Sequence, residues 1–152
     1  MIVSFGKHQG RSVEELVLRE ADYLVFGMWR ESDSEWDILQ VCKRASQLIA
    51  AFDGKPFVKP CSNPDCRRRV TRFTVYGPNI QPFFWCDHCN PYSMGASRGK
   101  IQELRTYADA VLHVQLWCPG RRTMKPFIRS LATAKGLPTR AGAKQAIAFF
   151  GT

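Results

Sequence analysis

Two pairs of cysteines in the middle of the chain have the spacing of metal ligands. Cys61 and Cys66 form a C-x4-C pair, and Cys86 and Cys89 form a C-x2-C pair. A tetrahedral zinc ion takes four thiolates at about 2.3 Å, and short cysteine loops bring their sulfurs to one point without a long-range search. We therefore predict one structural Zn²⁺ held by these four cysteines.

Other ligands and other metals stay open at this point. His88 lies inside the second cysteine loop and is an alternative ligand. Iron–sulfur clusters use the same thiolates, and the spacing does not exclude them. The cysteines can also be separate structural thiols. If all four bind one metal, no coordination position remains for water or substrate, so we expect no catalysis there. Cys118 is expected to be an ordinary, partly buried thiol.

A β-hairpin is the element that must position these ligands. Residues 72–76 alternate polar and apolar side chains, 77–79 have turn composition, and 81–85 form an aromatic-rich segment. Each predicted strand adjoins one cysteine pair, and a hairpin this small is not stable alone in water, so a metal would supply stability. This middle segment resembles a four-cysteine zinc ribbon. After it we predict a helix around 100–108 and an added strand over 111–117.

Helical patterns lie on both sides of the hairpin. Ser12 and Glu15 have the spacing of a capping box, and Ser34 precedes a long segment with apolar residues at steps of three and four. Cys42 lies on the apolar face of that segment and is expected to be a small buried residue. The last segment is again helical. We predict an α+β fold with an N-terminal helical module (1–54), a zinc-ribbon-like module (55–118) and a basic helical hairpin (119–152).

The overall charge indicates a polyanionic partner. The 152 residues include 22 Lys and Arg against 13 Asp and Glu, which gives a net charge of +9. No apolar run approaches the roughly 18 to 20 residues that span a bilayer, and the first residues lack the pattern of a signal peptide. We therefore expect a cytoplasmic protein with no membrane partner, in a compartment where clustered cysteines are more often metal ligands than disulfides.

The positive charges are clustered rather than spread. Arg67, Arg68 and Arg69 follow Cys66 directly, and no acid occurs between Arg121 and the last residue. A cationic cluster without interleaved acids repels itself, which favours phosphate contact. The aromatic residues of the hairpin are interpreted as its core, with base stacking as the alternative. The candidate nucleic-acid-binding residues are Lys7, His8, Arg67, Arg68, Arg69, Arg72, Arg121, Arg122, Lys125, Arg129, Lys135, Arg140 and Lys144.

Two segments resemble known modules. Residues 5–11 read F-G-K-H-Q-G-R and are followed by V-E-E-L at 13–16 and D-Y-L at 22–24, ahead of Trp29. This stretch resembles the small C-terminal domain of exodeoxyribonuclease X-like proteins, which implies a module associated with nucleic-acid enzymes. Since the chain shows no exonuclease domain and no acidic metal-binding motif, the resemblance implies no nuclease activity here.

The segment 128–147 is similar to a SAP motif, a helical hairpin that binds the DNA backbone. The residues that carry this resemblance are I-R-S-L-A-T-A-K-G-L-P-T at 128–139, then G-A-K at 142–144 and Ile147. It departs from the motif by one extra residue after Pro138 and by Ala146 where a leucine is usual. The resemblance implies phosphate contact, as does the purely positive charge of the segment.

Three hypotheses about function follow. The preferred one is a non-enzymatic, zinc-stabilised nucleic-acid-binding protein of bacterial, phage or plasmid type that contacts the phosphate backbone of DNA or RNA. It would act within a larger nucleoprotein complex, for DNA processing, defence or CRISPR-type surveillance. The first alternative is a metal-dependent nuclease, or an accessory subunit of one, with His8 as general base. The second is a zinc-dependent adaptor that docks on an acidic protein.

Overall fold

The computed structural model describes residues 1–28, 34–76, 80–89, 101–118 and 123–151. The helices are α1 (Val13–Arg19), α2 (Glu35–Gly54), α3 (Tyr107–Trp117), α4 (Met124–Ala134) and α5 (Ala143–Phe150), and the strands are β1 (Arg72–Tyr76), β2 (Phe83–Trp85) and β3 (Ile101–Leu104). The predicted α+β class is thus confirmed. The chain forms two compact units: unit 1 is Met1–Gly54 with Leu137–Thr152, and unit 2 is Lys55–Gly136.

Unit 1 begins with a tight turn that leads into α1. The backbone N–H of Val3 donates to the carbonyl of Arg11 at 2.9 Å, and Gly10 has a φ of +87°, which a residue with a Cβ rarely adopts. The predicted capping box is present, because the Ser12 hydroxyl accepts from the Glu15 amide and the Glu15 carboxylate accepts from the Ser12 amide. These bonds fix where α1 begins.

The core of unit 1 is formed by helices from both of its chain segments. Ser34 caps α2, as predicted, and the buried face of α2 runs from Ile38 to Phe52. The ring of Phe52 lies 6.1 Å from that of Phe149 on α5. The Arg19 side chain also donates to the carbonyl of Ala141. Unit 1 therefore needs the end of the chain to complete its core.

Unit 2 contains a three-stranded antiparallel sheet in the order β2-β1-β3. β1 is central and pairs Phe73 with Phe84 on one side and with Leu104 on the other. Phe73 is 1 % exposed, and its ring packs 6.3 Å from that of Phe127 on α4. The hairpin of β1 and β2 is the predicted one, whereas its turn, 77–79, lies outside the described residues.

The two elements predicted after the hairpin are wrong. Residues 101–104, predicted as part of a helix, form β3 and complete the sheet beside β1. Residues 111–117, predicted as the added strand, belong to α3. Its buried residues Tyr107, Ala110, Val111 and Val114 have helical spacing, and Thr106 with Asp109 forms a capping box at its start. This helical signal outweighs the short alternation that suggested a strand.

The two helices of the C-terminal segment belong to different units. α4 is part of unit 2 and α5 is part of unit 1. α4 ends at Ala134 with Lys135 as its C-cap, and the next residue, Gly136, has a φ of +104°, which suits the position after a helix C-cap. Along the chain, the units are divided between Gly54 and Lys55 and again between Gly136 and Leu137.

Candidate metal centre

The structure brings the four predicted cysteine ligands together. The Sγ atoms of Cys61, Cys66, Cys86 and Cys89 all lie within 4.8 Å of one another, and those of Cys66 and Cys86 are 3.6 Å apart. Sulfurs at about 2.3 Å from a tetrahedral zinc lie about 3.8 Å from each other, so this spacing is that of a ligand set. None of these cysteines forms a disulfide. The four thiols can therefore hold one metal ion.

Backbone hydrogen bonds hold the first cysteine loop against the second strand. The N–H of Ser62 donates to the carbonyl of Phe84 at 2.7 Å, and the N–H of Phe84 donates to the Ser62 hydroxyl at 3.0 Å. Within the loop, the Asn63 side chain accepts from the amide of Asp65 at 3.1 Å. Since Phe84 is two residues before Cys86, this clamp fixes the distance between the two cysteine pairs.

Groups around the sulfurs offset negative charge. The Asn63 amide donates to Cys89 Sγ at 3.4 Å, and the backbone N–H of Arg68 approaches Cys66 Sγ at 3.5 Å. The guanidinium of Arg72 donates to the carbonyl of Cys89. Such outer donors orient metal ligands and stabilise thiolates.

Neighbouring groups shift the pKa values of two thiols within the cluster in opposite directions. Burial raises the pKa of the Cys86 thiol, but backbone N–H groups of His88 and Cys89 and two neighbouring thiols outweigh it and lower the pKa to about 6. The Asn63 amide lowers the pKa of Cys89, but desolvation and the three other thiols raise it to about 12. Thiolates packed this closely oppose one another's ionisation, and a bound cation would stabilise all four together.

The remaining cysteines and His88 lie outside this cluster. Cys118 is 4 % exposed, and its sulfur lies 3.7 Å from His113 Nε2, so this thiol is more fully buried than expected. Cys42 is half-buried on α2 rather than fully buried, and desolvation raises its pKa. His88 is exposed and does not belong to the group of four ligands. Among the described residues, the geometry therefore favours the four cysteines as the ligand set.

The first arginine cluster starts directly at the metal centre. Arg67, Arg68 and Arg69 are exposed, between the ligand Cys66 and the buried Val70. Among the residues that the structure describes, none of the three arginines has an acidic partner within 4.0 Å. Arg72 differs, because its guanidinium lies 3.1 Å from Glu103 and its side chain is only 14 % exposed. Arg72 therefore supports the sheet.

Two further candidate residues are also engaged inside the protein. Lys135 is 8 % exposed, and its ammonium group donates to the carbonyl of Lys55 at 2.9 Å and lies 4.6 Å from the ring centre of Phe57. His8 is 8 % exposed, with Nδ1 3.1 Å from Arg11 and its ring 4.4 Å from that of Tyr23. The residue types alone do not indicate this burial.

The other candidate cations are on the surface or outside the described residues. Lys125 and Arg129 are exposed on α4, Arg140 and Lys144 are exposed near α5, and Lys7 is exposed in the first turn. Arg121 and Arg122 lie outside the part of the chain that the structure describes. Of the aromatic residues, Phe84 and Trp85 are buried, as expected for the hairpin core, whereas Phe83 is 40 % exposed.

Only one of the two units has a net positive charge. Unit 2 contains 14 of the 22 Lys and Arg residues and 4 of the 13 acids, which gives it a net charge of +10, and unit 1 has a net charge of −1. Three of the acids in unit 2 are already engaged: Asp87 with Thr71, Glu103 with Arg72, and Asp109 with Thr106. The basic unit is thus the one that contains the metal centre.

Sequence reasoning missed three residues of this region. Ser62 and Asn63 fix the first cysteine loop, and Lys59 lies 5.6 Å from the ring centre of Phe84. The Asn-Pro-Asp sequence at 63–65 is a turn signal that points to Asn63. No sequence signal points to Ser62 or Lys59, because both contact Phe84 on β2, and these contacts form only once β2 lies beside the first cysteine loop.

Comparison with known proteins gives no significant match to a protein-family model, to a curated protein or to a solved structure. Within the described residues, no helix combines the length and apolar composition that a membrane span requires. Inference about function therefore depends on the metal centre and on the charges around it.

Proposed function

We propose that the protein is a zinc-stabilised nucleic-acid-binding protein that contacts the phosphate backbone. The observation that carries the proposal is the position of Arg67, Arg68 and Arg69: three exposed arginines that follow a metal ligand in a unit of net charge +10. The proposal further places it in the cytoplasm, as a bacterial, phage or plasmid component of a larger nucleoprotein complex.

Zinc is the metal that the ligand set favours. Four thiolates in a tetrahedral arrangement are the ligands of structural zinc sites, and such closed sites contribute stability rather than catalysis. Iron–sulfur clusters share this residue type. A colourless protein with one zinc per chain supports the proposal, and visible absorption by an iron–sulfur cluster contradicts this part of it.

The metal would also serve to place the arginines. Cys66 on one side and the buried Val70 on the other restrict the backbone of 67–69, and the Thr71 amide donates to the carbonyl of Trp85 at 2.9 Å. Guanidinium groups held in this way lose less freedom when they bind phosphate oxygens. Their mutual repulsion in the free protein is relieved when phosphates neutralise them.

The nuclease alternative finds less support in the geometry. Its candidate general base, His8, has little exposed surface and is held by Arg11 and Tyr23. A base must reach the proton that it abstracts, directly or through one water. We therefore interpret His8 as a structural residue and retain the non-enzymatic function as the proposal.

The test is the salt dependence of binding by the full-length protein. Binding to a labelled duplex and to its single strand, in DNA and RNA forms, is measured between about 50 and 200 mM salt. We expect log K to fall linearly with log salt. In a variant with Arg67→Gln, Arg68→Gln and Arg69→Gln, the slope should become shallower by about 2.7 for the duplex and about 2.1 for the single strand if each arginine contacts one phosphate.

Lys43→Gln provides a control, because Lys43 is exposed on α2 in the weakly charged unit 1. It should change the slope little. Zinc content verifies that the triple variant is folded. Absence of binding at low salt, or binding that does not depend on salt, contradicts the proposal. Binding to an acidic protein but not to nucleic acid would favour the adaptor instead.

A further inference from the structure

A cleft of about 480 Å³ lies within unit 2, beside the strand that leads to the metal centre. Its volume is in the range of roughly 300 to 1,000 Å³ that is typical of small-molecule sites. Lys59, Ile80, Pro82, Phe84, Arg129 and Thr133 are among the residues that line it. They come from the segment before Cys61, from β2 and the residues just before it, and from α4.

The charged groups of this cleft fit an anion. Lys59 and Arg129 are its cations, and both side chains are exposed. None of the described residues that line the cleft is acidic. On α4, Thr133 is one turn after Arg129, so its hydroxyl lies on the same side of the helix. A phosphate can therefore be held by two cations and a hydroxyl donor.

The rest of the lining has an apolar part and a polar part. Ile80, Pro82 and Phe84 form the apolar part, with the Phe84 ring packed 5.4 Å from the ring of Phe57, and Gln81 and Ser130 are polar. The Ser130 hydroxyl, also in the lining, donates to the carbonyl of Pro126 at 3.0 Å and so offers its oxygen as an acceptor. An apolar wall with an adjacent acceptor suits a base with exocyclic N–H groups.

We propose that this cleft binds one unpaired nucleotide of a single-stranded nucleic acid, with its phosphate on Lys59 and Arg129 and its base against Ile80, Pro82 and Phe84. The inference rests on the proposed function and adds to it a preference for single strands over duplexes. In a duplex, the bases are stacked and paired, and bringing one out costs a few kcal/mol. A single strand presents its bases without that cost.

The cleft depends on the metal centre for its shape. Phe84 is clamped to Ser62 by hydrogen bonds of 2.7 and 3.0 Å, between the two cysteine pairs. Loss of the metal would release this wall together with the arginines of 67–69. The two surfaces must therefore be separated by substitution and not by chelation.

The test compares single-strand and duplex affinity in the full-length protein. Lys59→Gln with Arg129→Gln should weaken binding to a labelled single strand at least tenfold more than binding to the duplex. The triple variant at 67–69 is the matched comparison, because it should weaken both ligands to a similar extent. A single strand that carries a photoreactive 4-thiothymine should crosslink to peptides that contain residues 80–84 or 129–133.

Each outcome decides between the two proposals. If the double variant weakens single strand and duplex equally, or if crosslinks fall only at 67–69, the cleft proposal is overturned and the proposed function stands. If the unaltered protein binds neither ligand at low salt, both are overturned. If zinc content and circular dichroism match those of the unaltered protein, misfolding of the variant is excluded as the cause.

Discussion

Removal of the metal should unfold unit 2 and leave unit 1 largely folded. The sheet of unit 2 consists of strands of only 5, 3 and 4 residues. A structural zinc site contributes roughly 10 to 16 kcal/mol of apparent binding free energy, whereas a whole domain is stable by about 5 to 15 kcal/mol. Loss of the metal therefore removes more stabilising free energy than the remaining contacts of unit 2 can supply. Unit 1 has its own core, and the four clustered cysteines all lie outside it.

The helices of each unit give the expected size of the change. α3 and α4 have 11 residues each, whereas α1, α2 and α5 have 7, 20 and 8. Excess chelator should therefore remove about two-fifths of the α-helical circular dichroism signal that the described helices produce. Trp85 is 6 % exposed, and its indole N–H donates to Thr74, so its fluorescence should shift to the red in the same step.

Two variants complete this experiment. Cys86→Ser should reproduce the chelated state without chelator, whereas Cys42→Ser should keep the metal and the full signal, because Cys42 lies outside the cluster. Readdition of zinc should restore the signal of the unaltered protein. A helical signal unaffected by complete metal removal, verified by elemental analysis, would refute the structural role of the metal. A loss of the entire signal would refute the independence of unit 1.

Two further predictions concern the interior of each unit. In unit 2, Phe127→Ala should lower the free energy of unfolding in urea by about 3 to 5 kcal/mol, because Phe127 is 0 % exposed and its ring packs on that of Phe73. The unfolding step of unit 1 should stay unchanged. In unit 1, Glu14 lies 2.7 Å from Arg44, and although burial raises its pKa, that pair and the nearby N-terminus lower it overall from the ordinary 4.5. A carboxyl group whose pKa is lower in the folded state than in the unfolded state stabilises the protein at pH values above its unfolded pKa. That stabilisation is lost as the pH falls through the folded-state pKa. Glu14→Gln should therefore reduce stability at pH 7, and the difference from the unaltered protein should shrink on acidification; a difference that is constant from pH 7 to below the folded pKa would contradict the assignment.

The sequence was informative where structure is local. The cysteine cluster, its hairpin and the caps of Ser12 and Ser34 depend on residues close together in the chain, and all were predicted. The short apolar alternation over 111–117 predicts a strand, and it conflicts with two helical signals. These are the helical spacing of the residues that α3 buries and the capping box that begins at Thr106. The positive charge of Lys135 does not predict its burial, because that burial depends on a hydrogen bond to the carbonyl of Lys55, which is distant in the chain. The pairing of Phe52 with Phe149 likewise has no local signal.

The division of unit 1 into two chain segments has a consequence for biosynthesis. Phe149 and Ala146 of α5 help to close a core whose other helices lie before Gly54, and the 82 residues of unit 2 come between them. At a synthesis rate of about 5 to 20 residues per second, the ribosome needs roughly 4 to 16 s to make that insertion. During this interval the apolar faces of α1 and α2 lack their C-terminal cover, and all four cysteines are synthesised in its first half, because Cys89 precedes the midpoint of the insertion. The supply of metal to the nascent chain therefore sets whether α5 arrives tethered to a compact insertion or to a long unfolded loop.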